Sequence, residues 1–131
     1  MLPIPRILIV DDNPDHRLIL TYQLGKIGTF DIYEVDDGRQ VMRVLAAVAP
    51  DLIFMNLGLP VLDGWEAIRH IRALAAPLGQ VPIIAFTAYS GSQEEQDARQ
   101  AGCDAYLVKP VLDRGRLQQI VTSLLARGPR P

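Results

Sequence analysis

The amino-acid sequence predicts an α/β fold, a doubly wound five-stranded parallel sheet of order 2-1-3-4-5 with five helices. Three observations carry that expectation. Five short apolar runs alternate with amphipathic segments along 131 residues. Four of the runs are nearly continuous in apolar character, as strands covered on both faces must be. Regular β–α alternation also calls for parallel strands joined by right-handed crossovers, and five such units fit this order.

The elements follow in turn. The first strand is RILIV at 6–10. Asn13 is placed to cap a helix, Pro14 suits its first position, and Leu20, Leu24 and Ile27 stripe it until Gly28. IYEV at 32–35 is mixed in character and suits an edge strand. Val41, Val44, Leu45 and Val48 stripe the second helix, closed by Pro50. LIFM at 52–55 is the third strand; it stops at Asn56, and the chain turns at Gly58 and Pro60. Ile68, Ile71 and Ala75 stripe the third helix, which ends before Pro77. PIIAFT at 82–87 is the fourth strand. The polar stretch SQEEQDARQA, from about 92 to 101, forms the fourth helix and stops at Gly102. AYLV at 105–108 is the fifth strand. Leu117, Ile120, Val121, Leu124 and Leu125 give the last helix its buried face. Residues 1–131 read as one domain, with a core of about 5–127 and GPRP at 128–131 as a frayed tail.

Composition narrows the function. Hydrophobic residues make up 49% and charged residues 21%, enough to bury a core without staples. A net charge of −2 gives no electrostatic footprint for nucleic acid. The single cysteine, Cys103, excludes an intramolecular disulfide. No apolar run reaches the length of a membrane span, and MLPIPR is not a secretory signal. A cytoplasmic, single-domain protein is expected.

Ligands of open α/β sheets bind beyond the carboxyl ends of the strands, at the switch point of strand order. Here that point lies between the first and third strands. Asp11 and Asp12 end the first strand, Asn56 the third, Thr87 the fourth, and Lys109 followed by Pro110 the fifth. Singly, each has an ordinary explanation. DDNP can be a helix start, Thr87 a strand-end hydroxyl and Lys109 a solvated lysine. Gathered on one edge, adjacent carboxylates and an oxygen ligand suit Mg²⁺, and a lysine and a hydroxyl suit phosphoryl oxygens. That chemistry is Mg²⁺-assisted phosphoryl transfer, with the acceptor expected on the third strand.

Four stretches, ILIVDDNPDHR, DLIFMNLGLPVLDGWE, PIIAFTAYS and AGCDAYLVKP, occur in the order of a known family. The chain resembles the receiver domain of two-component response regulators over almost its whole length. The resemblance implies a flavodoxin-like receiver fold and a signalling role in a phosphorelay rather than an enzyme. It implies that Asp11 and Asp12, with position 56 and the backbone carbonyl of Gly58, hold Mg²⁺. The strand-three carboxylate of the family takes a phosphoryl group from phosphohistidine on a histidine kinase or phosphotransfer protein. Thr87 matches the hydroxyl that binds the phosphoryl group, Tyr106 the aromatic switch, and Lys109 the phosphoryl-binding lysine, whose bond to Pro110 is cis in the family. The surface of helix four, strand five and helix five is the family's output face.

Asn56 departs from the pattern. An acyl phosphate needs a carboxylate nucleophile, and an amide is a far poorer one. Met55 and Leu57 supply no hydroxyl in its place. Mg²⁺ affinity should fall, and the inactive arrangement should dominate unless a partner selects the other. Three explanations stand: a working receiver with its acceptor substituted, a natural phosphorylation-independent binding module, and a Mg²⁺-dependent phosphohydrolase. The last lacks a replacement nucleophile. His16 and His70 read as surface histidines, Cys103 as a small, partly buried residue, and Trp65 as packing at the start of helix three. Tyr89, two residues beyond Thr87, is placed to shield the pocket.

Overall fold

The computed structural model describes residues 3–59, 63–88 and 91–130. Strands β1 (Arg6–Val10), β2 (Asp31–Val35), β3 (Leu52–Met55), β4 (Ile83–Thr87) and β5 (Ala105–Val108) alternate with five α-helices. These are α1 (Pro14–Ile27), α2 (Gly38–Val48), α3 (Gly64–Arg72), α4 (Ser92–Ala101) and α5 (Arg114–Arg127), with a short 3₁₀ turn at Leu78–Gln80. The sheet order is β2-β1-β3-β4-β5 and every pairing is parallel.

The continuous apolar strands divide their residues between two cores because successive side chains point to opposite faces. Leu8, Val10, Ile53, Met55, Ile83 and Ala85 face α2, α3 and α4, meeting Val41, Leu45, Ala67, Ile68, Ile71 and Ala98. Ile7, Ile9, Leu52, Phe54, Ile84 and Phe86 face α1 and α5, meeting Leu20, Leu24, Leu117, Val121 and Leu124. Each six-residue strand set is buried, which fixes the register and so the positions of the strand ends.

Helix starts are set by side-chain caps. Asn13 Oδ1 accepts from Asp15 N–H at 2.9 Å and His16 N–H at 3.2 Å. Asp37, Asp63 and Asp113 do the same for α2, α3 and α5.

The structure corrects two sequence expectations. The third helix stops at Arg72, and Ala75 is exposed beyond it. Leu74 N–H bonds back to Ile71 O at 3.0 Å, a tight closing turn that turns the chain toward the 3₁₀ segment. The C-terminal residues do not fray through residue 130. Arg130 N–H donates to Gln80 O at 2.8 Å, and its guanidinium lies 3.1 Å from Asp104 Oδ1. Pro60 and Tyr89, to which a turn and a shielding role were assigned, lie outside the described residues. Among the described residues no helix is long and apolar enough to cross a membrane.

Candidate functional site

Backbone pairing brings the strand ends together. Asn56 N–H donates to Val10 O at 2.9 Å, so the residue after β3 lies beside the residue after β1. Asp11 N–H donates to Val35 O at 3.1 Å, which holds the start of the acidic loop to β2. Lys109 N–H donates to Thr87 O at 2.7 Å, joining the ends of β4 and β5. Asp11, Asn56 and Thr87 are the buried polar residues among those described. The Lys109–Pro110 peptide bond is cis.

Asn56 sits in the middle of the side-chain network. Its Nδ2 donates to Asp11 Oδ1 and Asp12 Oδ1, both at 3.3 Å, while its Oδ1 accepts from Gly58 N–H at 3.2 Å. The orientation follows from the partners, since a carboxylate accepts and a backbone N–H donates. The Asn56 oxygen expected to face a metal is thus turned to Gly58 instead. Lys109 Nζ forms a close ion pair with Asp11 Oδ2. It also lies 5.3 Å from the centroid of the Phe86 ring, a cation–π contact. Asn13 N–H completes the shell of Asp11 Oδ1 at 3.0 Å.

Two carboxylates and a backbone carbonyl are hard oxygen donors of the type a Mg²⁺ ion takes. Among the described residues no group of three His, Cys, Asp or Glu side chains is placed to hold a metal. Position 56, between the two acids, is where a third carboxylate would stand.

Sequence reasoning missed two residues here. His16 is not simply a surface histidine: its Nδ1 lies 3.1 Å from Lys109 Nζ and 3.9 Å from Asp11 Oδ2. Arg17 donates from Nη1 to Asp11 O at 2.7 Å and from Nε to Glu34 Oε1 at 2.9 Å, bracing the acidic loop. The signal was the cap at Asn13. It puts His16 in the first turn of α1, where side chains lean toward the helix N-terminus and hence toward the strand ends.

Other residues lie elsewhere. Tyr106 is buried, its ring in the core that holds Ala85, Ala98 and Cys103. Burial pushes its hydroxyl pKa up, helped by Glu94 and Glu95. Tyr106 also borders a groove of about 590 Å³ with Ser92, Glu95, Leu112 and Arg116, on the side of α4, β5 and α5. His70 is exposed, and Trp65 packs half-buried at the start of α3. The Cys103 thiol is buried and pushed up to about 12, chiefly by desolvation. Leu18, Ile19 and Tyr22 of α1 leave apolar surface exposed, as does Leu112 in the groove beside Tyr106.

Comparison with known proteins agrees with the geometry. Residues 7–122 match the model of the response regulator receiver domain. The sensor protein GacS of Pseudomonas syringae is 36% identical over 132 residues, covering 97% of this chain and 14% of that protein. Histidine kinase CKI1 of Arabidopsis thaliana is 34% identical over 79% of this chain and 11% of its own length. The chain thus spans a small part of these relatives. The receiver domain of a sensor histidine kinase from Pseudomonas aeruginosa, solved with a magnesium ion coordinated in its active site cleft, is 37% identical. It has a TM-score of 0.82, with 95% of this chain and 99% of that one covered. A putative response regulator from Chloroflexus aurantiacus superposes with a TM-score of 0.86 at 26% identity, over 95% of this chain and all of that one (100%).

Proposed function

We propose, from the premise that this chain belongs to the response regulator receiver domain family, that it is a receiver module with its phosphoryl-accepting position blocked at Asn56. The observation that carries this reading is the place of Asn56, its amide nitrogen 3.3 Å from both Asp11 and Asp12. A carboxylate there would be the nucleophile of acyl-phosphate formation; an amide is not.

The other roles follow the geometry. Asp11, Asp12 and the Gly58 carbonyl would hold Mg²⁺, as the relative from Pseudomonas aeruginosa holds magnesium in its cleft. When bound, the ion supplies positive charge to phosphoryl oxygens. Lys109 would leave Asp11 to grip the same oxygens, and the Thr87 hydroxyl would donate to them. Losing the charge of position 56 weakens the ion's hold. Tyr106 reports the state of the switch.

The module, a single receiver domain over residues 1–131, works as a signalling part rather than an enzyme, in the cytoplasm. Its partners are a histidine kinase or phosphotransfer protein and a target protein. The exposed apolar residues Leu18, Ile19 and Tyr22, on the helix that carries His16 beside the pocket, suit the phosphodonor partner. The groove bordered by Tyr106 suits the target. Neither nucleic acid nor membrane is a partner.

A second reading, a phosphorylation-independent binding module, is favoured by one feature. The Asn56 amide and the Lys109 ammonium already satisfy the acid pair.

The test restores the carboxylate. Asn56→Asp, incubated with Mg²⁺ and acetyl phosphate, should gain an alkali-labile phosphoryl group on the peptide that contains position 56. No gain would reject the blocked-receiver reading in favour of the binding module.

A further inference from the structure

Asn56 takes a nucleophile from the floor of the pocket, but another stands at its mouth. His16 Nδ1 is 3.1 Å from Lys109 Nζ. An ammonium can only donate, so Nδ1 accepts, and the neutral ring carries its proton on Nε2. The lone pair of Nδ1 is therefore directed at the ammonium that serves phosphoryl oxygens. The ring is reachable: its side chain is 43% exposed, whereas that of Asp11 is 2% exposed.

The other candidate nucleophiles are less available. Asp11 is buried, and its oxygens are taken by Lys109, Asn56 and Asn13. Asp12 is exposed, but it accepts from Asn56 and is one of the two carboxylates that the receiver reading gives to Mg²⁺. Thr87 is fully buried at the end of β4. His16 also borders a second cavity, of about 340 Å³, with Ile19, Gln23, Phe86 and Lys109. That cavity lies on the side of α1 and is bordered by both the ring and Lys109, so a small donor has room beside them.

We infer that His16 is a phosphoryl acceptor of this chain, taking the group at Nδ1 from an acyl phosphate or a phosphohistidine donor. The inference rests on the receiver reading of the pocket, because it uses Lys109 as the phosphoryl-binding group. With an acyl phosphate, the Nδ1 lone pair attacks phosphorus and forms an N–P bond. The bond from phosphorus to the acyl oxygen breaks, and its electron pair leaves with the carboxylate. The Nε2 proton passes to water. Lys109 gives up its hydrogen bond to Nδ1 and donates instead to the new phosphoryl oxygens, a charge-assisted contact.

The experiment incubates four proteins with Mg²⁺ and acetyl phosphate: the unaltered chain, His16→Gln, Asn56→Asp and the double variant. Intact mass gives the extent of labelling, peptide mapping gives the site, and stability gives the bond. Both bonds are lost in acid and to hydroxylamine; the N–P bond of a phosphohistidine survives alkali, and an acyl phosphate does not. The unaltered chain should gain one acid-labile, alkali-stable group on the peptide that contains His16. That group should be absent from His16→Gln, and the double variant should carry only the alkali-sensitive one. An unlabelled parent beside a labelled Asn56→Asp would overturn the His16 assignment and leave the receiver reading intact. A label that persists in His16→Gln, or that alkali removes from the parent, would overturn it as well. If neither parent nor Asn56→Asp is labelled, both readings fall. Because the site is mapped on the unaltered chain, a folding defect in a variant cannot decide the result.

Discussion

The Asn56 side-chain amide donates to Asp11 Oδ1 across 3.3 Å, and the same nitrogen reaches Asp12 Oδ1 at 3.3 Å. Asn56→Asp turns that donor into a third acceptor carrying charge. At an effective dielectric near 20, one close pair of like charges costs on the order of a few kcal/mol, less where water enters. In the absence of metal the aspartate form should therefore be the less stable in urea. Added Mg²⁺ should raise its midpoint much further than the parent's. A metal-free aspartate form that outlasts the parent would sink the argument.

Lys109 and Asp11 pair with side chains only 9% and 2% exposed. Lys109→Met leaves a buried carboxylate without its cation, a loss of about 3–5 kcal/mol. Adding Asp11→Asn removes the orphaned charge, so the double variant should recover much of the loss. Equilibrium unfolding of both singles and the double gives the coupling; strict additivity would mean that the pair does not act as one unit.

Asp104 anchors the opposite end of the molecule. Its carboxylate meets Arg72 at 2.9 Å, Arg127 at 3.0 Å and Arg130 at 3.1 Å, and accepts from Ile83 N–H at 2.8 Å. Arg72 is the inner partner, with pKa lowered by burial against the pull of Asp104. Asp104→Asn leaves that guanidinium uncompensated and should cost about 3–5 kcal/mol. Arg130→Ala removes a half-exposed partner that two other arginines back up, and should cost about 1 kcal/mol or less. Chemical denaturation ranks the two; a larger loss from Arg130→Ala would show that the terminal segment, not the buried pair, is the anchor.

Gly64 is packed against the turn that leaves Asn56. A Cβ there would lie 2.2 Å from Asn56 O and 2.6 Å from Leu57 Cα. Both are backbone atoms, so relief means moving the loop that holds Asn56 and Gly58. Gly64→Ala should cost about 3 kcal/mol or more, beyond ordinary overpacking. In the Asn56→Asp background it should also weaken Mg²⁺ binding. Unchanged Mg²⁺ affinity in a titration of that double variant would separate the turn from the site.

The sequence made the fold legible because strand burial is nearly total. RILIV, LIFM and PIIAFT could be read without periodicity, and the order of strands then fixed which residues share an edge. Asp11, Asn56 and Lys109 came together for that reason, each being the first polar group after an apolar strand. What could not be read depends on side-chain direction and long-range contact. His16 looked like a surface residue because its neighbour, Lys109, is 93 positions away. The GPRP tail looked free because nothing local to it signals Asp104, which attracts Arg130 only once β5 is in place. Ala75 kept the helical spacing of Ile68 and Ile71, yet the turn at Leu74 ended the helix first. The choice of Asn56 hydrogen-bond partners was likewise invisible, since an amide offers a donor and an acceptor and only the folded loop decides which faces the acids.

Cys103 gives the stability curve an alkaline limb. Burial raises its thiol from an ordinary value of 9.0 to about 12, against the opposing pull of Arg72. In the unfolded chain the thiol ionises near the ordinary value, while the folded chain keeps its proton. Between those two values the native state binds more protons than the unfolded state, so stability falls as pH rises. Below the lower value the thiol is protonated in both states and contributes no slope. One such group accounts for at most about 1.4 kcal/mol per pH unit. Tyr106, also raised by burial, adds to the same limb at higher pH. Cys103→Ala removes the thiol's share, so its stability should decline less steeply than the parent's from about pH 9 upward. Urea midpoints of the two proteins across that range supply the comparison, read as slopes so that any small packing loss cancels. Parallel slopes would mean that the thiol ionises as easily in the folded chain as in the unfolded one, and that water reaches β5 from the side of α4.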